Sequence, residues 1–581
     1  MKKKFVQIAA LCLSAALLAA SGGRQGASAA SSGASGRTIR VGLHFSGDYD
    51  LGPMEGLNLE NEIGSGFRFG YYDSGHQFVS LGSTGRTAIS VVKMANVYFG
   101  SYKGYRSYHS ALTTSDVAVG EYCLQLPGTY PDYAEAQAAS ADYEGGFPAW
   151  TGGEYFARIG CYTTRDKAEA AQAALLEQGV ETELKDPSEY GVSVVVTGTS
   201  TVLFQFDDSG EGAGLGVEPA AGLREDGGPD SAKCTTWSKN CLYYGGFRFE
   251  RIGGGNMTVV NILDLEDYLK GVVPHEMSAS WPLEALKAQA VTARSYTLSL
   301  GSRHSGSHFD ICNSAHCQAY SGLTRAGSNS DAAVEQTAGL AVLYNNRVVP
   351  TYYYSSNGGA SENVSIVWGS NQASYPYLVG KPDPYEASIN VNNCYTVTVS
   401  SDELVAGLKN LGYNGVGEAI VSVAIVSLTD AGNPRQVTFT DNNGKRFTID
   451  TRYVKSMVGL DSFCYGLETS IPEVSVNGSE SVEIGGLYAI DGDGNVVPVT
   501  GNVYVLTADG TASLEPDGAE TGGIGRLGST TGDNGTFTFI GRGWGHNVGM
   551  SQWGAYAMAQ QGYTYLDILQ FYYTGITVGY T

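Results

Sequence analysis

Hydrophobic and polar positions alternate in short runs from Thr38 to about residue 114. Examples are Ile39-Arg40-Val41-Gly42-Leu43 and Thr87-Ala88-Ile89-Ser90-Val91-Val92, and this period of two predicts strands. The pattern changes between residues 120 and 186. A strand at 121–126 precedes an alanine-rich helical stretch at 133–143, and a second strand at 154–160 leads into a helix over 164–178. That helix carries Ala168, Ala171, Leu175 and Leu176 on one face and stops at Gly179. A last strand at 180–184 completes a β-α-β…β-α-β order, which implies a small module with helices on one face of a sheet. Residues 209–233 are rich in Gly, Pro and acids and read as a linker. Strands resume over 242–260, a flexible insertion is expected at 508–535, and no fixed-period repeat is found. The fold class is α+β. It comprises a strand-rich part at 38–115, the module at 120–186, and a large strand-rich domain with a few helices at 234–581.

A length of 581 residues implies two or three domains. With 79 glycines and 38 tyrosines the composition suits a loop- and strand-rich extracellular protein. Most tyrosines in such a chain pack against strands, and some can serve as platforms for sugars. The net charge of −23 argues against nucleic acid and anionic lipid as partners, because both would be repelled. Glycan remains a suitable partner.

The N-terminus reads as a signal peptide over 1–29. Lys2, Lys3 and Lys4 precede an apolar run from Phe5 to Ala20, and Ala27-Ser28-Ala29 offers a small-residue cleavage site. Export is therefore expected, and the expected location is extracellular. Of nine cysteines, Cys12 lies inside the apolar run. Eight remain, which permits disulfides in an exported chain. Cys234 with Cys241 closes a short loop, and Cys123–Cys161 and Cys394–Cys464 are further candidate pairs.

Three segments carry candidate chemistry. In the first, 261–300, the apolar run Gly271-Val272-Val273-Pro274 ends in proline and is expected not to continue as helix. Ser280 can cap the next helix, with Pro282 and Glu284 in its first turn and Leu283, Leu286, Ala290, Ala293 and Thr297 on its buried face. Glu276 then sits on the connection, beside Val273, Pro274, Met277 and Trp281. Desolvation there raises a carboxyl's pKa, as a proton donor near neutral pH requires. Pairing with an arginine, or satisfying the helix start, is the structural alternative. His275-Glu276 is not half of a zincin motif, because position 279 is Ala279.

The second segment, 541–573, has glycines at 541, 543, 545 and 549 that let backbone, His546, Ser551 and Gln552 approach a ligand closely. Trp544 and Trp553 can stack on sugars, and residues 552–561 read as a helix ended by Gly562. A tight structural turn is the alternative. The third segment places His308, Cys312, His316 and Cys317 close together, with His304 just upstream. Two thiolates and two imidazoles suit a tetrahedral, structural zinc site, provided that His316 and Cys317 lie in a turn. A Cys312–Cys317 disulfide is the alternative.

Residues Tyr155-Phe156-Ala157-Arg158-Ile159-Gly160-Cys161-Tyr162, followed by Asp166-Lys167-Ala168-Glu169-Ala170, make the module similar to the peptidoglycan-binding SPOR domain, with an ordinary ferredoxin-like insertion as the alternative. The larger domain resembles the stage II sporulation protein D (SpoIID)/LytB amidase-enhancer family through five ordered motifs. They are Tyr268 to Pro274 with Glu276-Met277, Glu284 to Val291, Cys317-Gln318-Ala319-Tyr320, Tyr354 to Gly359, and Gly545-His546-x-x-Gly549-Met550-Ser551-Gln552-Trp553-Gly554-Ala555. The resemblance implies a peptidoglycan lytic transglycosylase. It would cleave the MurNAc–GlcNAc bond of peptide-stripped glycan strands to leave 1,6-anhydro-MurNAc ends, with Glu276 as general acid and then base. It also implies an N-acetylmuramoyl-L-alanine amidase acting upstream, and a location at the cell wall of a Gram-positive-type bacterium. Arg294, Ser356, His546 and Gln552 match family positions and become candidates for lining the glycan groove. Cys312, His316 and Cys317 match zinc ligands of some members, with His308 or His304 as the fourth. No organic cofactor is implied. Two positions depart from the family pattern: His275 replaces a small or aromatic residue, and Asn547 replaces a glycine. The inserted module leaves open whether sporulation or division is served. A non-catalytic amidase enhancer that binds the wall as a scaffold is the competing function.

Overall fold

The computed structural model describes residues 36–47, 52–61, 66–102, 104–112, 115–220, 240–301, 303–389, 394–468 and 535–581. It also describes the backbone of short strands at 231–235, between 473 and 514, and at 528–531. The expected signal peptide and most of the expected insertion lie outside the described residues. No helix among the described residues is long and apolar enough to cross a membrane.

The alternating N-terminal runs form strands, and the first belongs to the heart of the large domain. Thr38–His44 pairs antiparallel with Thr258–Asp264 and parallel with Ile311–Cys312. The seven-stranded sheet continues through Gly246–Glu250, Leu215–Pro219, Phe67–Tyr72 and Phe78–Thr84. Leu215–Pro219 corrects the linker reading of 209–233. Leu215 and Val217 alternate inward and are fully buried between Gly246–Glu250 and Phe67–Tyr72. A ten-stranded sheet lies against the first, and Phe69 stacks on Phe204 at 5.7 Å where the two share a core.

One end of the ten-stranded sheet is the module. Glu183–Lys185, Tyr122–Gln125, Glu154–Tyr162 and Gly146–Thr151 run antiparallel in that spatial order, so the first and third strands in sequence are central. Helices Tyr133–Ala141 and Arg165–Glu177 contribute Ala139, Ala171 and Leu175 to one small core with Leu124, Ala157 and Ile159. Thr164 caps the second helix by accepting from the Lys167 N–H. Leu176 does not join the buried face and is 61% exposed. The module is not a separate bead, because Ala149–Thr151 pairs in parallel with Gln205–Asp207 and fuses it to the rest of the sheet.

Helix Leu283–Leu300 is the centre of the helical layer, buried well beyond a single stripe, with Leu286, Ala290, Ala293 and Thr297 inside. Its N-cap is Pro282, without a side-chain bond. Ser280 instead pairs with Ser278 through their hydroxyls, so the expected serine cap is not made. A second core, not foreseen from the sequence, is built from residues 394–467 and 536–542. Leu404, Val423, Phe439, Phe447, Val454 and Phe539 fill it beneath helices Ser401–Asn410 and Thr451–Val458.

The strands also decide one cysteine pair. Cys394 and Cys464 flank Arg542 from opposite sides of strand Thr536–Arg542. Two inter-strand spacings, roughly 9.5 Å, exceed the ~7 Å that a disulfide can span between Cα atoms. That pairing is therefore excluded. Cys234 and Cys241 are direct cross-strand partners. The buried Cys123 donates to the Gln205 carbonyl oxygen, and the Gln205 amide donates to Cys161.

Candidate active site

Strand Thr258–Asp264 runs straight into helix Leu265–Glu276, whose first turn is capped by Asp264 accepting from the Glu266 N–H at 2.8 Å. The helix passes through Pro274 instead of ending before it. The proline forfeits one backbone bond in the last turn, and burial of Val272, Val273, Pro274 and Met277 in the core compensates. Glu276 is therefore the last helical residue, not part of a loop. Met277 turns extended, and its N–H still donates to the Val273 carbonyl. His275 stands in the same last turn.

Three neutral donors meet the Glu276 carboxylate. The Tyr353 hydroxyl donates to Oε1 at 3.1 Å, the Gln552 amide donates to Oε2 at 3.3 Å, and the Ala319 N–H also donates. Burial pushes the Glu276 pKa above the ordinary glutamate value, and these bonds offset it only in part. Among the described residues, neither a cation nor a second carboxylate figures among the influences on its ionisation. Tyr353 is itself held. The Gln318 amide donates to its hydroxyl at 3.0 Å, while the Gln318 oxygen accepts from Tyr268 and Thr297, each at 2.9 Å. Burial raises the Tyr353 pKa well above its usual value, so the phenol stays a donor.

Gln552 owes its position to the glycine-rich segment. Tyr353–Tyr354 pairs in parallel with Met550–Ser551, and Ser551 caps helix Gln552–Gln560. Gly549 has φ +84°, and a Cβ there would lie 2.0 Å from the Tyr352 carbonyl oxygen, so only glycine lets the two segments meet. Asn547 occupies a left-handed φ of 58°, which asparagine tolerates better than most residues. Its amide donates to the carbonyls of Asn357 and Ala360, and its oxygen accepts from the Phe463 N–H. The asparagine therefore keeps a glycine-like backbone and ties the loop at 357–360 to the segment at Phe463.

The other groove candidates separate on geometry. Arg294 is fully buried and does not reach a groove. Its guanidinium clasps Glu266 through two bonds, 2.9 and 2.5 Å, and donates to the Leu340 carbonyl. Ser356 is also buried, and donates to Glu386 at 2.5 Å. Glu386 further accepts from the N–H groups of Asn357 and Gly358 and from the Ser551 hydroxyl, which fastens both loops behind the site. His546 accepts the Val548 N–H on Nδ1 at 3.1 Å, and its ring packs against Tyr354 at 5.1 Å. Burial lowers its pKa to about 4, so it is neutral at physiological pH. Trp281 and Trp553 pack at 4.7 Å, with Tyr556 beside both, next to the Glu276 and Gln552 positions in the chain. Sequence reasoning missed Tyr353 and Gln318. The signal for Tyr353 was strand alternation, which sets it opposite Tyr352 and Tyr354.

His304, Cys312, His316 and Cys317 converge, their ligand atoms all within 4.8 Å of one another. The fourth member is His304, not His308. His308 has φ 63° and turns its Nδ1 to Glu250 at 2.7 Å. Separations of 3.3 Å (His304 Nε2 to Cys317), 3.7 Å (Cys312 to His316 Nδ1) and 3.6 Å (Cys317 to His316 Nδ1) suit the edges of a tetrahedron around zinc. His316 and Cys317 do lie in a turn, closed by the Cys317 N–H donating to the Ser314 carbonyl.

The stage II sporulation protein (SpoIID) family model matches residues 253–344, which span helix Leu265–Glu276 and this cluster. An amidase enhancer of Bacillus subtilis is 31% identical over 335 residues, 53% of this chain and 40% of that protein. An uncharacterized protein of Brachyspira hyodysenteriae is 30% identical over 342 residues, 58% of this chain and 72% of its own length. Stage II sporulation protein D of Bacillus subtilis is 27% identical over 342 residues, 56% of this chain and 76% of that protein. The chain belongs to the SpoIID/LytB family. It matches less than half the length of the amidase enhancer.

Proposed function

We propose that the chain is a peptidoglycan lytic transglycosylase with Glu276 as its single acid/base. The observation that carries this reading is a half-buried carboxyl held by neutral donors alone, with its pKa raised. Glycosidases that hydrolyse normally need a second carboxylate, as nucleophile or as base for water. An intramolecular route needs one group. Glu276 gives its proton to the glycosidic oxygen as the C1–O bond breaks. Its carboxylate then takes the proton of the muramyl C6 hydroxyl as O6 closes on C1. The acid is regenerated, water is not consumed, and a 1,6-anhydro end remains. Tyr353 and Gln552 steady the carboxylate in the charged half of that cycle. Incubating the protein with intact and amidase-treated sacculi tests the substrate: soluble glycan is expected from the treated wall, and equal release from both would overturn the requirement for stripped strands.

The acid role fixes a sign for pH. The proton donor is lost as pH rises through the Glu276 pKa, so kcat/KM falls on the alkaline side. Gln552→Leu removes a bond that favours the carboxylate. The alkaline limb is then expected to move up, by as much as roughly one pH unit. An unmoved limb would separate that limb from Glu276.

The Cys2His2 cluster has the donor set of a closed structural zinc site, held by His304, Cys312, His316 and Cys317. Zinc there would brace the turn whose next residues, Gln318 and Ala319, reach Tyr353 and Glu276. One equivalent of zinc per chain is expected by elemental analysis, falling on Cys312→Ser and persisting in His308→Ala. Loss in His308→Ala with retention in His304→Ala would reverse the assignment.

The export signal expected from the sequence and the module's resemblance to SPOR support the reading of an extracellular wall enzyme that grips glycan through its module. The name of the Bacillus amidase enhancer supports a second reading, a scaffold that stimulates a partner amidase. That reading expects stimulation to survive Glu276→Gln.

A further inference from the structure

An open groove of about 480 Å³ lies beside the glycine-rich segment, between the large domain and helix Thr451–Val458 of the second core. Its walls include Trp368, Trp544, Arg452, Lys455, Asp461 and His546. Trp544 is 61% and Trp368 42% exposed, far more than packing requires of tryptophan, so each offers a ring face to solvent. Arg452 and Lys455 outnumber Asp461 on the groove's own walls, with Asp450 pairing Arg452 from outside the lining, on a chain that carries −23 overall. The two cations are incompletely used. Arg452 Nε is buried without a hydrogen-bond partner, and its Nη2 reaches Asp450 only at 3.3 Å. The guanidinium fits there because Gly369 lacks a side chain, as a Cβ would meet Nη1 at 1.9 Å. Lys455 donates to the Leu460 carbonyl at 2.6 Å and keeps two further N–H groups. The groove is linked to Glu276 through His546, on its wall, which packs against Tyr352 and Tyr354 on either side of Tyr353, whose hydroxyl meets Glu276.

We propose that this groove is a subsite for a carboxylate-bearing sugar, with Trp544 and Trp368 stacking on the ring and Lys455 and Arg452 pairing with the acid. Resting on the glycan-cleaving reading of Glu276, the occupant is a muramyl residue whose lactyl group ends in a free carboxylate. An attached peptide converts that carboxylate to an amide and removes the charge that the two cations recognise. The subsite thus selects stripped strands by charge, before any bond is broken.

Binding is measured by calorimetry in the full-length Glu276→Gln protein, so that the result does not depend on whether the chain is a transglycosylase. The probes are muramyl glycan freed of peptide, the same glycan with its carboxylates amidated, and a neutral N-acetylglucosamine oligomer. Lys455→Met with Arg452→Gln is expected to weaken the acidic glycan by roughly tenfold or more, and both neutral probes by less than twofold. Trp544→Ala should weaken all three. If the double variant unfolds, salt titration of the intact groove decides. Affinity for the acidic glycan should fall with ionic strength, while the neutral probes hold. Equal affinity for acidic and amidated glycan, or salt-independent binding, would overturn the proposal.

Discussion

Glu276→Gln is expected to lower the rate of glycan release from amidase-treated sacculi by about 10³-fold, near the middle of the range for loss of a general acid–base. Glutamine keeps the shape and can still accept from Tyr353, but it has no proton to give to a leaving oxygen. The fold should not suffer. A buried acid whose folded pKa is raised supports the folded state below its unfolded pKa, and loses that support as pH rises through the folded value. At any pH above that folded value the ionised Glu276 is therefore a liability that glutamine lacks. The variant should melt at or above the wild-type temperature, while Glu276→Asp, one methylene short, should keep the charge and lose most of the rate. A variant that is slow because it is unfolded would contradict both expectations.

Arg294→Met should behave in the opposite way. The arginine has no exposed surface, and its partner Glu266 also accepts from the Gly339 N–H beside strand Leu340–Tyr344. Removing the cation leaves a buried carboxylate without its charge partner, which costs about 3–5 kcal/mol. Chemical denaturation should show that loss, and Arg294→Met with Glu266→Met should recover much of it. The groove assignment drawn from motif matching foresees unchanged stability and weakened glycan binding instead, so one denaturation series decides between them.

Much of the architecture was legible because local physics agreed with the final fold. The helix read at 164–178 is Arg165–Glu177 with Thr164 as its cap, and period-two runs became strands. The errors arose where tertiary packing outweighed local signals. Pro274 stays helical because the residues around it are buried. Leu215–Pro219 is a central strand inside a stretch with linker composition, since three buried positions are too few to outweigh its glycines and acids. The second core carried no motif, and its strands lie either side of a long interruption in sequence. The structure brings Glu276 and Gln552 of the motifs together, whereas motif matching could not tell open positions from buried ones: Arg294 and Ser356 are buried against Glu266 and Glu386. Spacing alone likewise left His304 and His308 open, because a left-handed turn at His308 decides which ring meets the cysteines.

Mass spectrometry of the glycan ends released from amidase-treated sacculi tests the central claim most directly. A single acid/base at Glu276, with no second carboxylate among the described residues influencing it, predicts muramyl ends lighter by one water than reducing ends: the 1,6-anhydro sugar. Reducing muramyl ends would show that water is activated and that the reaction is hydrolysis. No new ends from a folded protein that still stimulates an amidase would leave the scaffold as the function.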